Sequence, residues 1–324
     1  MSKKLITGVK PTGTIHIGNY FGAIKPFIDI QNQYHSSIFI ADLHAITSIQ
    51  DKNALENQII ETAVAYLSAG VDLRKTNIFK QSDTPEVTEL AWTLSCLSTM
   101  PYIMRAHSFK DAEAKNKEIN VGVFTYPILM AADILLSGAE FVPVGKDQEQ
   151  HLEIARDIAD KFNRTYGETF VMPKAIIQKE VATVPGIDGQ KMSKSYNNTI
   201  SLFATDEEIE KLVSVIPTDS TPIDQPKDPD TNNVFNIHKL ILNEQEVSEL
   251  RKKYETPGMG YQEAKKMLSE DLKNFIRPFR EKRELYLKNP KKILKILKKG
   301  GKIAKKNAEK KMKEVRQKIG YGLY

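Results

Sequence analysis

Apolar positions in the first half of the chain fall into short runs separated by longer stretches with helical spacing. Residues 3–9 (KKLITGV) predict a buried strand, followed by a turn containing Pro11, Gly13 and Gly18 and a helix over 20–34. The run at 36–42 predicts a second strand, and 53–70 a helix with Asp51 or Asn53 as its cap. Residues 76–81 predict a third strand, and a helix starts near Pro85, a residue suited to a first helical position. A helix over 125–136, a strand over 140–145 and a long helix over 147–165 follow. This alternation predicts an α/β fold: a Rossmann-like parallel sheet with helices on both faces, binding its ligands at the carboxyl ends of the strands.

Beyond residue 200 the strand pattern stops. Helical periods recur at 205–215, 234–254, 261–287 and 291–319, and the Pro- and Asp-rich segment 217–233 reads as a loop. The expectation is two domains, a Rossmann-like catalytic domain over 1–200 and an all-α domain over 201–324.

Composition narrows the class. Of 324 residues, 40 % are apolar and 27 % charged, enough to build a core and too apolar for wholesale disorder. No stretch approaches the roughly 20 apolar residues of a membrane span. The start, MSKKLITGVK, lacks the apolar core of a signal peptide. One cysteine, Cys96, excludes an internal disulfide framework and a thiolate zinc cluster. The reading is a soluble, cytoplasmic protein without a metal site of its own. Residues 280–324 hold 17 Lys/Arg against 4 Asp/Glu, so the net +6 is a +13 tail on a body of −7. Such a tail suits a polyanion contacted at one end, and equally a solvated lysine-rich helix.

Two segments carry phosphate chemistry. GVKPTGTIHIGNYFG (8–22) sits where the first strand gives way to a helix, so glycines and free N–H groups could meet an anion, with His16 as a further donor. Many such turns are purely structural. VPGIDGQKMSKSYNN (184–198) sets Lys191 and Lys194 three residues apart on a glycine-containing loop expected to be mobile, suited to charge that appears only during reaction. In TYPILMAADILL (125–136), Tyr126, Met130 and Asp133 share one helix face. Tyr and Met are ordinary in a core; a carboxylate among Ala131, Ala132, Ile134 and Leu135 needs a partner if buried.

KMSKS at 191–195 together with PTGTIHIGN at 11–19 resembles the paired signatures of class I aminoacyl-tRNA synthetases, and the chain is most similar to their bacterial tryptophanyl branch. The similarity runs from residue 5 to near the C-terminus. It implies a tryptophan–tRNA ligase: ATP and tryptophan give tryptophanyl-adenylate and pyrophosphate, and the aminoacyl group passes to the 3′ end of tRNA(Trp). In this family the first-strand turn and the lysine loop hold ATP from opposite sides. The resemblance places Lys10, Pro11, Thr12, Gly18 and Asn19 along the nucleotide, Gly145, Lys146 and Asp147 at its ribose and adenine, and Val184 beside adenine. His16, Lys191 and Lys194 would act on the phosphates, with Met192, Ser193 and Ser195 completing the loop, and Mg²⁺ would be carried by ATP oxygens.

For tryptophan the resemblance implies Asp133 at the end of an apolar slot, accepting from the one indole N–H, with Tyr126 and Gln148 on the amino group. His44 matches a pocket-lining histidine, though a core histidine fits as well. Met130 stands where the related tyrosyl branch usually has glutamine, and favours the larger indole. Lys10 and Lys146 replace a common glutamine and glutamate, and Ala112 a common lysine for which Lys110 or Lys115 could substitute. The resemblance further implies a homodimer, and an anticodon-binding role for the helical half with its lysines along the RNA backbone. A superfamily nucleotidyltransferase would account for the His16 turn alone, and a non-catalytic paralogue would keep only the fold.

Overall fold

The structure is a computed structural model that describes residues 3–106, 119–145, 148–177 and 184–322. Five strands form one parallel sheet: β1 (Lys4–Val9), β2 (His35–Ile40), β3 (Thr76–Lys80), β4 (Phe141–Val144) and β5 (Lys174–Ile177), in the order β3-β2-β1-β4-β5. The chain leaves β1 towards β2 and β3, then returns to its other side for β4 and β5. That reversal makes a switch point at the carboxyl ends of β1 and β4, where open α/β sheets take their ligands.

The larger helices are α1 (Lys52–Ala69), α2 (Glu86–Leu97), α3 (Val121–Ser137), α4 (Glu149–Tyr166), α5 (Asp206–Ser214), α6 (Asn233–His238), α7 (Glu244–Glu255), α8 (Tyr261–Leu287) and α9 (Pro290–Ile319). Most of their starts follow the capping rules. Asp51 accepts from the Ala54 amide at 2.7 Å, as expected from the sequence, and Asn120, Thr205 and Asn243 cap α3, α5 and α7. The predicted strands and the 53–70, 205–215, 261–287 and 291–319 helices all form within a few residues of their expected limits. Three details differ. The 234–254 period breaks into α6 and α7. The helix expected over 20–34 opens with a turn at Ile17–Asn19 and a wide π-type turn at Tyr20–Ile24. β5, only four residues after Pro173, carries no sequence signal.

The chain divides into two compact units, and neither follows a cut at residue 200. The first comprises residues 1–13, 27–179 and 289–324, and so holds the whole sheet, α1 to α4 and also α9. Ile6, Phe39, Phe79, Val142 and Val144 from the strands join side chains of α2, α3, α4 and α9 in one buried cluster. The lysine-rich α9 belongs here because its stripe of Ile293, Leu297, Ala308, Met312 and Val315 is buried. It crosses edge strand β3 at Gly300, whose carbonyl accepts from Asn77 at 3.2 Å; a Cβ at Gly300 would collide with the Ile78 carbonyl. The helix thereby covers an edge that would otherwise be open to pairing.

The second unit comprises residues 14–26 and 180–288. Leu268, Leu272 and Ile276 of α8 form its buried spine, and α8 packs against α5 and α6. Tyr20 and Phe21 meet Phe275 and Phe279 of α8 with ring centroids 5.0–5.6 Å apart, which ties the 17–24 turns to the helices.

Candidate active site

In the first unit, polar residues cluster just past the carboxyl ends of β1, β2 and β3. Lys10 follows β1 and donates from Nζ to Thr47 Oγ1 at 3.1 Å; the Thr47 hydroxyl in turn donates to the His44 carbonyl at 2.8 Å. Partial desolvation of its head group lowers the pKa of Lys10. Pro11 is buried beside it and Thr12 exposed. Past β2, Asp42 accepts from the Ser82 amide at 2.9 Å and the Ser82 hydroxyl at 2.5 Å, fastening the ends of β2 and β3 together.

Gln81, the first residue after β3, is the hub. Its Oε1 accepts from the amides of Leu43 and His44 at 3.1 and 3.3 Å. Its Nε2 donates to both oxygens of Asp133 at 2.9 Å. His44 Nε2 lies 3.0 Å from Asp133 Oδ2 and, with the carboxylate ionised, carries the hydrogen of that bond. The partner that a carboxylate in the apolar run of α3 requires is therefore present twice. Asp133 is 7 % exposed, and burial raises its pKa, opposed by the His44 and Gln81 bonds. A carboxylate offers about four lone-pair sites, so capacity for one further N–H remains.

The remaining residues of the α3 face join this cluster. Tyr126 meets the His44 ring edge-on, centroids 5.9 Å apart at 81°, and its hydroxyl lies 2.9 Å from His151 Nε2. Met130 is half-buried against the core. The Gln148 amide donates to the Gly145 carbonyl at 2.9 Å, turning the chain from β4 into α4. Lys146 and Asp147, with Lys110, Ala112 and Lys115, lie outside the described residues.

In the second unit the two signature segments meet. Ile17 donates its amide to Ile200 O at 2.9 Å and Leu202 to Ile15 O at 3.0 Å, an antiparallel clasp centred on His16 and Ser201. Asn19 Oδ1 accepts from the His16 amide at 3.2 Å. Gly18 lets the His16 ring close over the turn: a Cβ there would lie 2.8 Å from His16 Nδ1 and 3.3 Å from Met192 Sδ. His16 Nδ1 is buried and has no hydrogen-bond partner among the described residues. Burial, helped by the charge of Lys194, lowers His16 to about 4. At neutral pH its imidazole is uncharged and can donate one N–H to an anion. Partial desolvation of its ammonium also lowers the pKa of Lys194.

The lysine loop is internally bonded. Met192 N donates to Val184 O at 2.8 Å, and Lys191 pairs with Pro185. Asn198, 1 % exposed, accepts from Ser193 N at 2.8 Å and donates to Asp188 Oδ1 at 2.7 Å and Lys191 O at 3.1 Å. Lys191, Lys194 and Ser195 remain exposed around this frame, while Met192 is buried.

Sequence reasoning does not single out Gln81, Asp42 or Asn198. The available signal is position: a polar residue at the carboxyl end of a parallel strand for Gln81, and an asparagine three residues past the lysine loop for Asn198. Together the two clusters offer a buried acceptor on an apolar helix face, and a neutral donor with two cations on a turn.

Residues 2–277 match the family model described as tRNA synthetases class I (W and Y). The chain is 46 % identical to the tryptophan–tRNA ligase of Campylobacter jejuni, covering 98 % of this chain and 99 % of that protein. It is 45 % identical to the corresponding ligase of Fusobacterium nucleatum, covering 98 % of each. Its fold superposes on the Campylobacter jejuni tryptophanyl-tRNA synthetase structure complexed with ADP and tryptophan with a TM-score of 0.93, at 46 % identity over 98 % of this chain and 99 % of that one. A tyrosyl-tRNA synthetase of Archaeoglobus fulgidus shares the fold at a TM-score of 0.67 and 17 % identity.

Proposed function

The chain belongs to the class I tRNA synthetases of the W and Y type, and from that premise we propose how its residues divide the work of charging tRNA with tryptophan. The activity is that of a tryptophan–tRNA ligase, and ATP is its nucleotide substrate. The observation that carries the residue assignment is the Gln81–Asp133–His44 network on the face that also holds Tyr126 and Met130.

Asp133 accepts the indole N–H with the lone-pair capacity left by Gln81 and His44, which fix its rotamer beforehand. Met130 lines the apolar slot, and Tyr126 and Gln148 hold the amino group. A site built this way rejects an analogue lacking the N–H by roughly 10⁴–10⁵ without editing. The tryptophan carboxylate, already ionised at neutral pH, attacks the α-phosphorus of ATP in line. The bond from that phosphorus to the bridging oxygen breaks, and pyrophosphate leaves with the electron pair. No general base is needed.

Catalysis then rests on positioning and on neutralising phosphate charge. His16 donates as a neutral imidazole, Lys191 and Lys194 supply positive charge, and Gly18 and Asn19 shape the turn that receives the phosphates. Lys10, Pro11 and Thr12 follow β1, and Gly145 with Lys146 and Asp147 follows β4, the two strands that flank the switch point. Val184 and the backbone of 192–195 serve the nucleotide from the loop. Mg²⁺ is carried by phosphate oxygens, of which it needs few beyond its own waters.

In the second step the 3′-terminal adenosine hydroxyl of tRNA takes the aminoacyl group from the adenylate, releasing AMP. The helices of 201–288 serve the anticodon, and the exposed Lys302, Lys305 and Lys306 of α9 contact RNA phosphates, binding that positions more than it specifies. The working form is a cytoplasmic homodimer. No helix among the described residues is long and apolar enough to cross a membrane.

Amino-acid-dependent ATP–pyrophosphate exchange, run separately with each of the twenty amino acids, tests this reading. Exchange with tryptophan alone is expected; exchange with tyrosine would overturn the pocket assignment, and none with folded protein would overturn the activation chemistry.

A further inference from the structure

The first unit contains a cavity of about 510 Å³ that the reaction above does not use, a volume within the range of small-molecule sites. It lies along the face of β1, β2 and β3 that α3 and α9 cover. Exposed residues at the amino ends of the strands, Lys4, His35 and Lys75, line one end of it. Exposed Lys299 and Ile303 of α9 flank it, and buried Phe39, Ile78 and Val87 form its apolar interior. Of the described residues assigned to tryptophan and ATP, Asp133 alone borders it.

Its charges are one-sided. Among the described residues Asp133 is the sole acid in the lining, buried and already bonded to Gln81 and His44. Four cations among the described residues line it, and Arg74 is engaged by Asp72 at 2.8 Å. Lys4, Lys75 and Lys299 have no ion-pair partner among the described residues. Free ammonium groups at the exposed rim and hydrocarbon within suit an amphipathic ligand with one anionic head.

We propose that this cavity is a second small-molecule site, taking an organic carboxylate whose head pairs with Lys75 and Lys299 and whose apolar body lies between β3 and α9. Its walls include Leu136 and Ser137 as well as Asp133, all on α3, the helix that carries the amino-acid pocket. An occupant therefore alters tryptophan affinity, and tryptophan alters the affinity of the occupant by the same factor. This coupling rests on the tryptophan reading given above; the site itself does not.

The test uses 4-phenylbutyrate as probe, titrated calorimetrically into the full-length protein with and without saturating tryptophan, so that the amino-acid pocket is filled in one arm. One probe per chain is expected in both arms, with different affinities. The alcohol 4-phenylbutanol should bind about tenfold more weakly, the size expected for losing a charge-assisted bond. In K75E/K299E, which alters only exposed side chains, the carboxylate should lose at least that factor while tryptophan alone binds as before. Absence of saturable binding up to the solubility of the probe, or equal affinity in K75E/K299E, would overturn the proposal. If tryptophan failed to bind at all, the arm without it would still decide the site.

Discussion

Gln81 Nε2 donates to both carboxylate oxygens of Asp133 at 2.9 Å, while its own carbonyl receives the Leu43 and His44 amides. One side chain thus fixes the acceptor and the turn that brings His44 to it. Gln81→Ala leaves Asp133 buried and held by His44 alone of the two. A hydrogen bond to a charged group is worth about 1.5–3 kcal/mol, so tryptophan affinity should fall roughly 10–150-fold. Equilibrium binding of tryptophan measures it; an unchanged Kd would remove Gln81 from the site.

Lys194→Ala should act on rate rather than on tryptophan binding. Removing one preorganised charge at a reacting phosphate costs on the order of 10²–10³ in rate. Rapid-quench measurement of adenylate formation should show that drop with the tryptophan Kd within about twofold of the parent, since uniform binding is untouched. An unchanged adenylate rate would exclude the role given to the loop.

Because the folded pKa of His16 lies at about 4, below its ordinary 6.5, the unfolded chain binds more protons between those values. Stability should therefore rise with pH from about 4 to 6.5 and flatten above. Urea melts of the parent and His16→Asn across that window test it: the substitution should remove part of the slope. Equal slopes would mean that His16 titrates normally in the folded protein.

Gly300→Val should destabilise the first unit, since its side chain has no space against the Ile78 carbonyl. Overpacking costs about 1–3 kcal/mol, visible as a lower urea midpoint. Lys305→Glu, on the exposed face of the same helix, should leave that midpoint unchanged. A stable Gly300→Val protein would contradict the close crossing of α9 over β3.

Charge reversal at Lys302, Lys305 and Lys306 should weaken tRNA binding and flatten its salt dependence, by about 0.7–0.9 in log–log slope for each phosphate no longer neutralised. Filter binding of tRNA between low and moderate salt reads both quantities. An unaltered slope would assign these lysines to solvent.

Much of this is legible in the sequence, for identifiable reasons. Four of the five strands carry compact apolar runs that local pattern reveals, and β5 is too short to do so. Asp133 stands out because a carboxylate inside an apolar helix demands a partner. Its partners do not: Gln81 lies 52 residues away and meets it only once β3 and α3 are packed. The stripe of α9 predicts an amphipathic helix, but an apolar stripe does not say which surface it covers. That choice rests on Gly300 and on Arg316, which grips Glu89 in α2 with Nε 2.7 Å from Oε1. The boundary expected at 200 misses it for that reason. Residues 14–26 likewise join the second unit through the Ile17–Ile200 clasp, which local periodicity cannot express.

The role of Asp133 is tested most sharply by comparing tryptophan with 1-methyltryptophan, which lacks the indole N–H. Single-turnover adenylate formation is measured for both substrates with the parent protein and with Asp133→Ala. Discrimination in the parent should be strong, roughly 10⁴–10⁵, and should collapse to within about tenfold in Asp133→Ala, where neither substrate finds an acceptor. Equal activation of both substrates by the parent, or discrimination that survives in Asp133→Ala, would show that Asp133 is not the group that reads the indole.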